Sequence, residues 1–272
     1  MSGGSEEEAN QFDRTYGRFA DSIYAAIRSE AFGEDIGQNS WITADELRSF
    51  CGWLELTPTS ELLDVASGSG GPALFIVKST GCRVTGVDVH EAGVAVAVAN
   101  SRSAGLAERT RFVHADARRA LPFADGQFDA ILSIDAMNHF YDRAGLLQEF
   151  RRLLRPGGRL LFTNAVTLTG LLRKEEMVER SYGMGEFVFT PMGYDQKNVV
   201  AAGFELLRME DLTDTVARVA RAWHEARAKR TADLDRIEGV DQNAAMQRFL
   251  DSVSTLALER RLSRPAYLAR RN

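Results

Sequence analysis

The chain has 272 residues, 44% apolar and 26% charged, so it can bury one sizeable core and disorder is not the default. A net charge of −5 argues against a broad nucleic-acid surface, and no apolar run approaches the ~20 residues needed to cross a bilayer. With two cysteines, Cys51 and Cys82, and no secretory signal, buried thiols in a reducing cytoplasm are expected rather than a disulfide or a metal pair.

Residues 1–10, with Glu6-Glu7-Glu8, read as a polar flexible tail without the basic and apolar blocks of a targeting peptide. Residues 11–57 read as an N-terminal helical lid. Phe12, Tyr16, Phe19, Ile23 and Ile27 recur at three- and four-residue spacing and line one helix face; most of that face is packing, with Tyr16 the member able to reach an active site. The run from Phe32 to Trp41 is polar and glycine-bearing, too irregular for a helix. Thr43 and Glu46 then stand at capping-box spacing before a helix with the apolar stripe Leu47, Phe50, Cys51 and Leu54, which holds the preceding loop in place.

From residue 58 to 272 strand-like and helix-like runs alternate, which predicts a doubly wound α/β core, a parallel sheet with helices on both faces. Strands are predicted near 61–66, 83–89, 111–116, 128–134 and 159–166, and helices near 72–80, 91–104 and 143–154. Leu153 to Phe162 reads as a helix end, a Pro156-Gly157-Gly158 turn and a new strand. Between the first strand and helix, Ala66-Ser67-Gly68-Ser69-Gly70-Gly71 lets the backbone turn sharply and a ligand lie against it. A Gly-x-Gly pair alone also suits nicotinamide, flavin and nucleotide sites. Asp64, just ahead of the glycines, would repel pyrophosphate but suits the ammonium of an amino-acid moiety. Asp88 closes the second strand, where a carboxylate can accept two ribose hydroxyls. Asp116 and Asp135 close the third and fourth, so four acids gather at the sheet edge where such folds bind ligands.

These residues resemble the class I S-adenosylmethionine-dependent methyltransferase family over roughly Leu62 to Val166, with Ala66 and Ser67 where many members have Gly-Cys or Gly-Ser. The resemblance implies a seven-stranded sheet whose last strand enters antiparallel between the fifth and sixth. It also implies S-adenosyl-L-methionine as cofactor: Asp64, Ala66, Gly68 and Gly70 at the methionine part, Asp88 at the ribose, Val89, Asp116 and Ala117 at the adenine, and Ser133 at the cleft mouth. The motif pattern is most similar to small-molecule methyltransferases of the phosphoethanolamine and sarcosine/dimethylglycine type. In those relatives a segment like Phe32-Gly33-Glu34-Asp35-Ile36-Gly37 covers the methionine end, which would bring Gln38 and Ser40 to the cofactor and Trp41 to the substrate side.

The run Ser133-Ile134-Asp135-Ala136-Met137-Asn138-His139 leaves the fourth strand at the cleft. The same relatives carry an acid followed four residues later by histidine here, which makes Asp135 and His139, with Tyr16, the catalytic candidates and Asn138 a substrate contact. On one helical turn Asp135 and His139 would share a face, and an imidazole near neutral pH can take a proton from an acceptor. His114, inside a strand, reads as a core imidazole. Residues around 167–192 form an insertion rich in Met177, Tyr182, Met184, Phe187, Phe189 and Met192, read as the acceptor pocket, with Met177, Tyr182, Phe187 and Phe189 as contacts. Arg180 and Tyr182 are displaced from the position of the phosphate-gripping residues of those relatives, which favours an uncharged, apolar or aromatic acceptor.

A further strand is predicted over Phe204 to Met209, helices near 213–236 and 242–260, and a last strand over Arg264 to Arg270. The basic residues Arg218, Arg221, Arg227, Lys229, Arg230 and Arg236 read as a solvated face, because acids are interspersed. No spacing of His, Cys, Asp and Glu suggests a metal. The expected protein is thus a cytoplasmic methyltransferase acting on N or O of a small molecule, with no nucleic-acid or membrane partner, and with a homodimer left open. C-methylation, cofactor binding without transfer, and a nicotinamide-dependent oxidoreductase are the alternatives.

Overall fold

The computed structural model describes residues 21–181 and 187–272. Strands β1 (Glu61–Val65), β2 (Arg83–Asp88), β3 (Thr110–His114), β4 (Phe128–Ser133) and β5 (Leu154–Thr163) alternate with helices α3 (Gly71–Thr80), α4 (Glu91–Ser103) and α5 (Arg143–Leu153). After α7 (Tyr194–Ala201) come β8 (Phe204–Asp211) and, at the chain's end, β10 (Pro265–Arg271). The seven-stranded sheet has the order β3-β2-β1-β4-β5-β10-β8. β10 runs antiparallel to both β5 and β8 and lies between them, as the family resemblance implied.

Both faces of this sheet are covered, which is why its central strands read as unbroken apolar runs. Leu62, Val84, Leu132 and Leu161 pack with α3 and with α2 (Ala44–Trp53), through Leu47, Phe50, Ala73 and Ile76. Leu63, Val65, Ile131 and Phe162 point the other way, onto Leu146, Leu147 and Phe150 of α5 and Val199 of α7. Strand order reverses between β1 and β4, so the crevice for a ligand opens at their carboxyl ends. Thr43 caps α2 with the expected box, Glu46 N–H to Thr43 Oγ1 at 3.3 Å and Thr43 N–H to Glu46 Oε2 at 3.4 Å.

A helical layer stands beside the sheet: α1 (Ser22–Phe32), α8 (Thr213–Ala228), α9 (Thr231–Glu238) and α10 (Val240–Leu258), packed around Phe32, Trp41, Val219, Phe249 and Val253. Three details depart from the sequence expectation. The helix predicted over 213–236 breaks at Lys229–Arg230, where Glu30 of α1 takes both cations and Arg227 reaches back to Glu238. Arg221, Arg227, Lys229, Arg230 and Arg236 of the basic face are therefore held in ion pairs within the chain. β5 starts at Leu154, directly after α5, and Pro156-Gly157-Gly158 is a bulge inside it: Leu154 pairs with Phe128 but Arg159 already with Ala130, and Gly157 has φ 77°. A small sheet, β7-β6-β9 (Thr190–Pro191, Thr167–Leu168, Leu262–Ser263), ties the 167–192 insertion to the entry of β10; its two-residue strands leave no periodic signal. Short helix α6 (Lys174–Arg180) completes the insertion. Cys51 and Cys82 are both buried thiols, and burial pushes Cys51 up to about 12. Among the described residues no helix is long and apolar enough to cross a membrane.

Beneath the β4 exit, Arg143 is fully buried. Its Nη1 donates to Asp195 Oδ1 at 2.6 Å and its Nε to the carbonyl of Phe140 at 3.1 Å, while Asn164 Nδ2 donates to Asp195 Oδ2 at 2.7 Å. Removing one member would strand the other charge out of water. Asp195→Ala is therefore expected to cost about 3–5 kcal/mol of stability in urea unfolding.

Candidate functional site

The floor of the crevice is the turn from β1 into α3. Ala66, Gly68 and Gly70 have φ of 63°, 53° and 78°, all left-handed, a conformation glycine adopts without strain and alanine does not. A side chain on Gly70 would collide with the Phe112 ring and Ala97 at 2.9 Å. Gly71, not singled out by the sequence, is tighter still: its Cβ would lie 2.1 Å from the carbonyl oxygen of Gly37. The segment from Ile36 to Gly37 thus rests directly on the glycine turn. Asp35 shapes it, taking Arg28 Nε and the Gly37 N–H, and the Ile36 N–H donates to Gln38 Oε1 at 2.9 Å.

Two carboxylates border this floor. Asp64 is 3% exposed, and burial together with the charge of Asp88 raises its carboxyl to about 7. Asp88, 5% exposed, accepts the Gly68 N–H at 2.8 Å and the His90 N–H at 2.9 Å, one on each oxygen. Each oxygen keeps a further lone pair, so the carboxylate fixes the turn and can still accept hydroxyls.

Around the same crevice four buried polar atoms have no hydrogen-bond partner among the described residues: Gln38 Nε2, Ser40 Oγ, Ser67 Oγ and Ser133 Oγ. Gln38 and Ser133 are wholly buried. Unpaired buried groups are costly, so atoms of this kind beside acids and a glycine turn fit a polar ligand with an ammonium, a carboxylate and hydroxyls. Val89 is 45% exposed at the rim, where its carbonyl meets His114 Nε2 at 2.9 Å. His114 is therefore a surface residue at the end of β3, not the core imidazole the sequence suggested. Asp116 and Ala117 are half-buried beyond β3; burial raises the Asp116 carboxyl, but hydrogen bonds from Arg118 outweigh it and hold it low.

The β4 exit differs most from expectation. Asp135 adopts φ 51°, and the 3₁₀ turn that follows, Met137–His139, starts after it, so Asp135 and His139 do not share a helical face. The Asp135 carboxylate is already engaged: Oδ1 accepts Thr163 Oγ1 and Arg264 Nε, both at 2.7 Å, and Oδ2 accepts the Trp41 N–H at 3.0 Å. These contacts make it an anchor between the β4 exit, the entry to β10 and the Trp41 segment. Arg264 also donates to Glu46 Oε2 at 2.9 Å.

The acceptor side gathers around Phe187. The His139 ring meets it edge-on at 5.1 Å, and Phe189 lies 6.4 Å beyond. The Val188 N–H donates to the carbonyl of Asn138, which is buried. Arg180 sits over Trp41, Phe187 and Phe249 at 5.8, 5.5 and 5.5 Å, 2% exposed, with the Ala165 carbonyl at 3.3 Å as its one hydrogen bond among the described residues. Burial lowers its guanidinium to about 10, with the charge of Asp135 opposing, so it stays cationic at neutral pH. Trp41 packs into the helical layer against Trp223 and Phe249, and Met177 is half-buried on α6. Tyr16 and Tyr182 lie outside the described residues. Arg264, the pairing of Glu46 with it and the contact of Gly71 with Gly37 were not legible in the sequence, because each joins segments distant in the chain. Among the described residues no group of three His, Cys, Asp or Glu could hold a metal ion.

Residues 63–162 match the family described as "Methyltransferase domain". A sterol 24-C-methyltransferase of Gibberella zeae is 35% identical over 165 residues, 59% of this chain and 43% of that one. A 27-O-demethylrifamycin SV methyltransferase of Amycolatopsis mediterranei is 27% identical over 252 residues, 88% of this chain and 90% of that one. The chain thus spans less than half the length of the first relative and most of the second. A cyclopropane synthase of Mycobacterium tuberculosis shares the fold with a TM-score of 0.82 at 17% identity, covering 97% of this chain and 98% of that one. A protein of Galdieria sulphuraria described as a sarcosine dimethylglycine methyltransferase does so with 0.75 at 20% identity, over 84% and 85%. On this sheet order, with its acid-bordered glycine turn, the chain carries a methyltransferase domain over residues 63–162.

Proposed function

We propose that the enzyme methylates an oxygen or an acidic carbon of a small apolar or aromatic acceptor. The carrying observation for the cofactor is the buried pair Asp64 and Asp88 beside the unpartnered Gln38, Ser40, Ser67 and Ser133. Bound S-adenosylmethionine supplies an electrophilic methyl on a cationic sulfur. Asp64 would face the ammonium of its methionine part, Gln38 and Ser40 the neighbouring carboxylate, and Asp88 the ribose hydroxyls.

For the acceptor, charge is the guide. Asp135, the acid nearest the β4 exit, is neutralised by Arg264, and Arg180 adds a buried cation with no carboxylate paired to it among the described residues. Glu46 shares Arg264 with Asp135, so two acids and two cations balance here and an ammonium acceptor would find no net attraction. A hydroxyl or carbon acid enters uncharged, and the Arg180 cation would favour the anion it becomes. His139, edge-on to Phe187, is the group proposed to take that proton, through an imidazole nitrogen. Phe187, Phe189 and Met177 would supply the apolar wall. The 27-O-demethylrifamycin SV relative supports the oxygen reading and the sterol 24-C-methyltransferase the carbon one.

Incubation with methyl-labelled cofactor and a metabolite extract, followed by mass spectrometry, tests this directly. Label on hydroxyl or carbon positions is expected; label confined to amines would overturn the acceptor class.

His139→Ala should cut turnover on the labelled acceptor by ~10²-fold or more with unchanged affinity for S-adenosylhomocysteine. Affinity for that product should fall about tenfold per pH unit once the pH drops below about 7, where Asp64 takes a proton, as read by calorimetry. The ligand-free protein should show the opposite trend. Its buried Asp64 carboxyl titrates near 7 rather than the unfolded value of about 4, so this group's stabilisation is complete below pH about 4 and lost as pH rises through about 7. Gly71→Ala should force Ile36–Gly37 off the turn and weaken S-adenosylhomocysteine binding by roughly tenfold or more, at a stability cost of about 1–3 kcal/mol.

A further inference from the structure

The segment Ile36–Trp41 touches the core at two ends. One is the contact of Gly37 with Gly71; the other is the Trp41 N–H on Asp135. Between them lie Gln38 and Ser40, whose buried Nε2 and Oγ have no hydrogen-bond partner among the described residues. The second contact depends on a residue far away in the chain. Arg264 is 1% exposed, and its fork reaches two acids on different elements: Nε to Asp135 at the β4 exit and Nη1 to Glu46 on α2. Its own backbone is fixed at the entry to β10, with the N–H on Thr213 Oγ1 at 2.9 Å and the carbonyl taking the Leu212 N–H at 2.9 Å. Thr163 holds Asp135 from the other side, accepting its N–H at 2.8 Å and donating to Oδ1. Asp135 therefore has one orientation, and in it Oδ2 meets Trp41.

We infer that Arg264 is a positioning residue that clamps the Gln38–Trp41 segment onto the cofactor crevice, acting through Asp135 and Glu46. The inference rests on the proposed roles of Gln38 and Ser40. A lysine presents its donors from one rotatable nitrogen and cannot fix both acids in this geometry, whereas the planar guanidinium meets each with a separate nitrogen. Without the clamp, Asp135 would be a buried acid without its hydrogen-bonded counter-charge and would turn toward Arg180 or whatever solvent it could reach, releasing the Trp41 N–H. Glu46 would lose the same partner while still capping α2 through Thr43. The loosening would then be confined to residues ahead of α2, and the sheet would keep its packing.

The test uses the full chain and S-adenosylhomocysteine as the probe. Arg264→Lys and Arg264→Gln are compared with wild type by calorimetry and by amide hydrogen exchange, well below the unfolding midpoint. Expected are a tenfold or greater loss of affinity and at least tenfold faster exchange in residues 36–41, with protection of 61–65 and 128–133 unchanged. Wild-type affinity and wild-type exchange in 36–41 would overturn the inference. So would exchange that rises equally across the sheet with affinity unchanged, since that assigns Arg264 to stability alone. Should the single variants not fold, Asp135→Ala/Glu46→Gln/Arg264→Met removes the clamp without leaving either acid partner of the arginine alone, and a glutamine at 46 can still serve the capping box. The same two readouts then apply, and the same results support or overturn the clamp. Failure of the wild type itself to bind the probe would strike at the cofactor reading, whereas equal binding by wild type and variant strikes at the clamp alone.

Discussion

The structure depends on a carboxylate pair kept out of water at the point where the sheet changes direction. Asp64 lies within β1, flanked by β2 and β4, so it cannot be solvated from the side, and Asp88 at the end of β2 adds like-charge repulsion. Two buried acids in proximity are unfavourable unless a cation or a proton joins them. The ligand-free protein meets this with a proton on Asp64 near neutral pH. In the proposed reading a cofactor's ammonium would meet it with charge, linking cofactor binding to proton release at Asp64, and the glycine turn beside it would let the ligand approach the backbone.

The rest of the crevice is built by segments that come from elsewhere in the chain. The N-terminal segment crosses the turn at Gly71, where any side chain would displace it, and Asp35 with Gln38 gives it shape. The helical layer supplies Trp223 and Phe249 to hold Trp41, and β10 supplies Arg264. Roof and floor are thus tied through side chains from the first and last quarters of the chain. An acid that sequence spacing aligned with His139 turns out to belong to this tie.

The same arrangement sets the electrostatics on the acceptor side. Asp135 gives its charge to Arg264, and Arg180 is stabilised by ring faces rather than by a carboxylate. A plain count of acids at the strand ends therefore overstates the negative charge available on this side.

The sequence by itself determined the sheet, its crevice and the acids that border it. Apolar runs ending in Asp64 and Asp88, small residues at the turn, and the capping box at Thr43 and Glu46 are local signals, because backbone geometry and burial act within a few residues. It also found the exit carrying His139 and the aromatic insertion. What only tertiary structure decided was which charges meet. Asp135 and Arg264 are 129 positions apart, as are distant pairs like Arg143 with Asp195, and no periodicity or spacing encodes such a pairing. The break in the helix at Lys229–Arg230 depends likewise on Glu30, and the two-residue strands around Thr167 exist only because β9 and β7 lie beside them. Ion pairing and edge pairing are interactions between segments, so they become readable only once the sheet has brought those segments together.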